Sequence, residues 1–368
     1  MTNENNIDLN KGMLEHNYGI DALRILSMFM VVVAHILGPG GVLAAAEPRS
    51  IQYEAAWFLE IAAYCSVNCY ALISGYVGIY AKYKYQNIVM LWLRVVFYTL
   101  SITLLFSILI PDAVLLKDWI KAVFPITRGY YWYFTAYFAL FFFIPILNMA
   151  ISKMTKNQHR AVTITLISVF SFWPTLFHKD VFGTSSNAWW LIILYIIGSY
   201  IRKYGLFQKS NALTMFLGYI TVTALTWLSK FIIESQSLAF LNFIDQNYLF
   251  NNTSITMLMS GVFLLITFER IHIGHTVTKI IQCFSPAAFS VYLIHANPFV
   301  WNYLIKGRFS FQAKLPVLLG ILTTLLIAAL IFISCSFIDL IRSGIFKALK
   351  LQKFIGAAED RYCKNLWS

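Results

Sequence analysis

The stretch Ile20-Asp21-Ala22-Leu23-Arg24-Ile25-Leu26-Ser27-Met28-Phe29-Met30-Val31-Val32-Val33-Ala34-His35 decides the fold. Only Asp21, Arg24, Ser27 and His35 interrupt its apolar character, so it reads as a membrane helix. An arginine inside such a helix is costly to bury, and it needs a partner or a purpose. At about 100° per residue, the eleven steps from Arg24 to His35 make just over three turns. The two side chains therefore share a face and stand roughly 16 Å apart along the axis. One can hold an anion near a membrane surface while the other does proton chemistry deeper in.

The rest of the chain repeats the apolar signal. Of its 368 residues, 59% are hydrophobic and only 12% charged, with a mean hydropathy of +0.67. A soluble domain would carry about twice that charged fraction. A spanning helix needs about 20 mainly apolar residues. Ten runs qualify, roughly 19–38, 56–80, 87–110, 130–150, 160–177, 187–203, 211–230, 252–269, 283–304 and 315–341. The weakest is 160–177, which is short and ends at Trp173-Pro174. The expected fold class is all-α: a polytopic membrane helical bundle of about ten transmembrane helices. The 17% aromatic content suits belts at both interfaces. Residues 1–18 form a polar segment, 19–342 the transmembrane domain, and 343–368 a basic tail. No clear small-residue cleavage site follows the first apolar run, so that helix is expected to be retained. No convincing internal repeat is visible, which weakens a transporter built from inverted repeats.

The net charge of +12 would suggest nucleic acid in a soluble protein. Here the basic residues sit mostly in short loops and read as topology signals, so no nucleic-acid partner is expected. With the N-terminus inside, 17 of the 28 Lys and Arg fall in inside segments and 9 in outside ones, Lys230 among the latter. Arg24 and Arg94 are left in helices. This bias places both termini in the cytoplasm, which requires an even number of spans. Among the 5 cysteines, Cys65 and Cys69 lie four apart in one apolar run and read as packing residues. With no CxxC pair and no clustered Cys/His spacing, neither a structural metal nor a disulfide framework is expected.

Asp21 and Arg24 are three apart at the cytoplasmic end of the first helix and can pair. Taken alone, Arg24 reads as a snorkelling anchor and His35 as a hydrogen-bonded interior histidine. Together on one face, with Ser27, Met28 and Val31 between them, they point to a site. No Gly-rich phosphate loop, Walker pattern or GxSxG elbow is present, so ATP hydrolysis and serine-type chemistry lose support.

With these residues in view, the chain resembles the membrane-bound acyltransferase-3 family. Arg24 and His35 reproduce the arginine, ten residues, histidine spacing of that family's first helix, and Ile20-Asp21-Ala22-Leu23-Arg24 matches its typical opening. Ser74-Gly75-Tyr76 resembles its serine-glycine-aromatic step. Tyr131-Trp132-Tyr133-Phe134, leading to Pro145, looks like its tryptophan-rich fourth helix. Phe289-Ser290-Val291-Tyr292-Leu293-Ile294-His295 resembles its late "YLIH" segment. The resemblance implies acyl transfer, commonly of acetyl from cytoplasmic acetyl-CoA to a hydroxyl of a cell-surface glycan or its lipid-linked precursor. It also implies a multi-pass protein of a bacterial plasma membrane, with Arg24 and His35 needed for activity. The expected partners are then acyl-CoA, a glycan or lipid-linked sugar acceptor and membrane lipids. Acetyl-CoA serves as donor, with no metal. Arg24 is the expected phosphate or pantetheine contact and His35 the base.

Other polar residues in the apolar runs extend the list of candidates. Glu60 could pair with an arginine or polarise His35, although near the outer end it could simply meet water. Arg94 reads equally as an anchor and as a CoA contact. Asn68 reads as a helix-packing hydrogen bonder. Ser74 lies on the same run. Trp132 and Tyr133 read equally as belt aromatics and as a glycan platform. His295 and Asn297 precede Pro298, a break where backbone groups are freed. Asp339 with Arg342 reads as an interfacial pair at the end of the last helix. The competing function is a non-enzymatic transporter or flippase of glycan units; a scaffold subunit of a glycan synthase is a third reading. CoA dependence separates the first two.

Overall fold

A computed structural model describes residues 16–177, 183, 186–235 and 249–362. The described residues are helical throughout their regular structure. The first long helix, α1 (Tyr18–Leu37), starts where Asn17 accepts from the Gly19 and Ile20 amides, and it ends at Gly38. A second span follows in two pieces, α2 (Ile51–Tyr64) and α3 (Ser66–Gly78), joined at Cys65. Next come α4 (Tyr85–Leu109), the short amphipathic α5 (Leu116–Val123), and α6 (Trp132–Lys153), with Pro145 inside it. The span α7 begins at Lys156–Ile167 and continues through a π-helical stretch, Ser168–Phe172, to Phe177. Then follow α8 (Ala188–Tyr204), α9 (Ala212–Glu234), α10 (Ile255–Arg270), α11 (His275–Phe284) and α12 (Ala288–His295). Helices α13 (Val317–Ala348) and α14 (Leu351–Tyr362) end the described chain.

Among the described residues, 8 helices are long and apolar enough to cross a membrane. The two remaining runs, 187–203 and 252–269, fold as α8 and α10, of 17 and 16 residues. At 1.5 Å per residue these are only about 24–26 Å long. Both pack centrally: α8 against α3 and α6, α10 against α3, α9 and α1. The run 283–304 is also redrawn. Its helix begins earlier, at His275, and stops at His295, because Asn297-Pro298 breaks it and a π-helical turn, Trp301–Ile305, follows. The span expected to start at residue 56 begins at Ile51, where Ser50 accepts from the Tyr53 amide.

Helix α1 is the axis of the bundle, touching α2, α3, α10, α11, α12 and α13. Association in lipid rests on close van der Waals packing rather than on a hydrophobic driving force, so small residues gather at the crossings. A Cβ on Gly75 of α3 would stand 2.0 Å from the Tyr195 carbonyl oxygen of α8. One on Gly198 would stand 2.2 Å from that of Leu72. Gly19 meets the Phe268 carbonyl of α10 in the same way, at 1.8 Å. Asn68 cross-links the centre, donating to the Asn252 carbonyl at 2.8 Å and accepting from Trp190 Nε1 at 2.9 Å. Cys65 and Cys69 are fully buried and unbridged.

Two expectations need correction. Lys230 is not in an outer loop. It lies within α9, buried at 1% exposure, paired with Glu234 and covered by the Tyr53 and Trp57 rings at 4.7 and 4.3 Å. Asp339 and Arg342 pair as expected but are not at the end of their helix. The helix continues to Ala348 and buries both, with Arg342 Nε 2.6 Å from Asp339 Oδ1, which also accepts from Tyr98 at 2.7 Å. The stretch after 342, expected as a basic tail, is helical through most of its described part. It completes α13 and forms α14, whose Glu359 accepts from the Tyr85 and Gln86 amides and so caps α4.

Candidate active site

The polar start of α1 brings three side chains together. Arg24 Nη1 lies 2.5 Å from Asp21 Oδ1 and 3.2 Å from Ser285 Oγ, and Ser285 donates to the same carboxylate. Asp21 also meets His16 Nε2 at 2.5 Å. The i,i+3 spacing thus forms the expected pair, and a serine from the α11–α12 junction locks it. About 29% of the Arg24 side chain stays open. That open part faces a cavity of about 380 Å³.

The cavity is bounded by α1, α3, α4, α6 and the α11–α12 junction. Arg24, Arg94, Lys82 and Lys84 supply positive charge; Tyr70, Ser74, Tyr133 and Tyr137 supply hydroxyls. Arg94 donates to the Pro286 carbonyl at 3.2 Å, yet its Nε is buried without a hydrogen-bond partner. The hydroxyls of Tyr70 and Tyr133 are buried and unpartnered as well. All three residues line the cavity, whose accessible polar surface includes the open part of Arg24. At the mouth, burial raises the Tyr83 hydroxyl pKa, with Tyr85 and Glu359 adding to the shift, so Tyr83 presents a neutral phenol there.

His35 lies deeper, at the far end of α1. Its Nδ1 is 2.9 Å from Nε2 of His295, whose own Nδ1 is 2.6 Å from the Val291 carbonyl oxygen. Trp301 stands perpendicular to the His35 ring at a centroid distance of 4.8 Å. A file of rings links this pair to the cavity: Tyr133, in its wall, touches Tyr292 at 6.4 Å, and Tyr292 touches His295 at 6.4 Å.

The structure therefore brings Asp21, Arg24, Arg94, Ser74 and Tyr133 to the cavity or its rim, and His35, His295 and Asn297 to the deeper end. Asn297 donates to Tyr131 Oη at 3.2 Å and caps the Phe299 amide. Trp132 separates from Tyr133: it is 39% exposed on the outside of α6, while Tyr133 is buried. Glu60 is largely buried and does not hydrogen-bond His35. It is 5% exposed, its Oε2 has no partner, and its Oε1 lies 3.6 Å from where a Cβ on Gly38 would be. Sequence reasoning missed Tyr70, Tyr137 and Ser285 altogether, and took Lys82 and Lys84 only as topology markers. The i,i+4 pairs Tyr70/Ser74 and Tyr133/Tyr137 carried a signal, since each puts two hydroxyls on one helix face. Among the described residues, no group of three His, Cys, Asp or Glu is placed to hold a metal ion.

The family signature described as "Acyltransferase domain" matches residues 17–339. This chain belongs to the acyltransferase-3 family. The match runs from the cap of α1 to Asp339 in α13 and so takes in the cavity and both histidines. No curated protein and no solved structure matches the chain. Within the acyltransferase-3 frame, the arrangement offers a cation-lined chamber at one end of α1 and a candidate base at the other.

Proposed function

We propose that this protein is a membrane O-acyltransferase. It moves an acyl group, acetyl in the first instance, from acyl-CoA to a hydroxyl of a cell-surface polysaccharide or its lipid-linked precursor. The observation that carries the reading is the cavity: two arginines and two lysines around about 380 Å³, at the base of the helix that bears His35. A guanidinium suits the phosphate oxyanions of CoA. Arg24 and Arg94 would hold the donor, with Lys82 and Lys84 at the mouth. The loop Lys82–Lys84 lies on the side that the charge bias assigns to the cytoplasm, where acyl-CoA resides. The roughly 16 Å between Arg24 and His35 along α1 gives an extended pantetheine arm room to deliver its thioester toward the histidine.

In the reaction, His35 Nε2 takes the proton of the acceptor hydroxyl as its oxygen attacks the thioester carbonyl. The C–S bond breaks, and the proton passes to the departing CoA thiolate. A positioned base of this kind contributes about 10²–10⁴-fold. A covalent acyl-His35 that carries the acyl group outward is the alternative route, and trapping it with donor alone would exclude direct transfer. The test is transfer of label from acetyl-CoA to a crude surface-glycan extract by the purified chain in liposomes, beside His35→Ala. Label entering the glycan with wild type alone is the expected result. No label, no CoA release and no CoA binding by calorimetry would leave the flippase reading in its place.

A further inference from the structure

His35 and His295 are 260 residues apart in sequence, and their contact is unexplained by a base that acts alone. The hydrogen-bond chain assigns the protons. A carbonyl oxygen only accepts, so the 2.6 Å contact to Val291 O requires a proton on His295 Nδ1. Among the described residues, neither ring pairs with a carboxylate. A second proton on His295, which is 1% exposed, would be an uncompensated buried charge. Its Nε2 therefore carries a lone pair, and the 2.9 Å contact requires the proton on His35 Nδ1. That leaves His35 with its lone pair on Nε2, where no described residue hydrogen-bonds it.

We infer that His295 is a positioning residue that fixes the tautomer and rotation of His35, so that Nε2 alone is presented to substrate. The inference rests on the acyl-transfer reading for its consequence, though not for its geometry. The broken helix builds the device. His295 is the last residue of α12, and Trp301 opens the π-helical turn beyond the Asn297-Pro298 break. One ring holds His35 by its Nδ1 and the other stands perpendicular to it at a centroid distance of 4.8 Å, so the break works as a clamp. Asn297 and Tyr131 hold it in shape: Asn297 donates to Tyr131 Oη, and Tyr131 donates to the Leu293 carbonyl at 2.6 Å, satisfying a group near the end of α12. An uninterrupted helix would place residue 301 more than a turn and a half beyond residue 295.

The experiment compares acetyl-CoA turnover of the full chain in liposomes, with the same glycan extract, for wild type, His295→Phe and His295→Gln. Phenylalanine keeps the ring and removes the acceptor; the glutamine Oε1 reaches about as far as the histidine Nε2 and accepts in its place. His295→Phe should lose about 10²–10⁴-fold in kcat, the scale set by a missing base or a wrong tautomer. Its KM for acetyl-CoA should stay within about twofold, because the cavity is untouched. His295→Gln should recover most of the rate. Wild-type kcat in His295→Phe, a loss confined to KM, or a glutamine variant as inactive as the phenylalanine one would each overturn the inference. If wild type itself moves no label, the acyl-transfer reading fails, and the tautomer is read directly instead. The folded wild-type chain is methylated with methyl p-nitrobenzenesulfonate, and the His35 peptide is hydrolysed and chromatographed. Nε2-methylhistidine alone supports the assignment; Nδ1-methylhistidine overturns it.

Discussion

Replacing Gly75 by alanine tests the packing that shapes the cavity. The new Cβ would sit 2.0 Å from the Tyr195 carbonyl oxygen, 2.7 Å from its carbonyl carbon and 2.7 Å from its Cα. A carbon and an oxygen come into ordinary contact at about 3.2 Å or more, so α3 and α8 must separate by roughly 1 Å. The obstacle is backbone in a buried helix, not the end of a flexible side chain. The cost therefore falls at the upper end of the range for overpacking, about 3 kcal/mol. For a chain of this size, that lowers the unfolding midpoint by roughly 5 °C. The control is Gly344→Ala. Gly344 is also inside a helix, but nothing lies within 4 Å of its Cβ position, so alanine there should be neutral or stabilising by about 0.5–1 kcal/mol. The assay is the fraction of monodisperse protein that survives a temperature series in detergent. Equal midpoints for Gly75→Ala and wild type would refute the close crossing of α3 and α8, and with it the position of Ser74 in the cavity wall.

Other changes test separate parts of the structure. Arg24→Ala should weaken CoA binding by about 10–100-fold, measured by calorimetry, since it removes a charge-assisted contact worth about 1.5–3 kcal/mol; Arg24→Lys should fall between. Asp339→Ala leaves Arg342 buried without its carboxylate and should cost about 3–5 kcal/mol in the same thermal assay, whereas Asp339→Leu with Arg342→Met should be close to neutral. Glu359→Ala removes the side-chain cap of α4 and should cost about 1 kcal/mol. It should also speed tryptic cleavage at Lys353 and Arg361, because α14 loses that tie to the bundle.

Local patterns survived the passage from sequence to structure; relations between distant segments did not. The apolar run of α1, the Asp21–Arg24 pair, the break before Pro298 and the packing role of Asn68 were all legible, because each depends on composition or on spacing within a few turns. The grip of His295 on His35 was not, since no local period connects two segments 260 residues apart. Burial was the other blind spot. The i,i+3 spacing of Asp339 and Arg342 suggested a pair, but it carried no information on whether Tyr98 and the surrounding helices would enclose it. Lys230 was misplaced for the same reason: a lysine near the end of an apolar run looks like a loop residue until the Tyr53 and Trp57 rings are seen to cover it. Of the ten runs, eight fold among the described residues as helices long and apolar enough to span, while α8 and α10, of 17 and 16 residues, are shorter and pack against the central helices.

The spacing of Arg24 and His35 on α1 has a consequence for permeation. The hydrocarbon slab of a bilayer is about 30 Å thick. The two side chains stand roughly 16 Å apart along the helix axis, about half of that thickness. A charged carrier held at the Arg24 level therefore need not traverse the slab for its cargo to arrive beside His35. Under the proposed chemistry, the barrier is passed by exchanging the bearer of a neutral two-carbon unit, and the polyanion never leaves the side on which it docked.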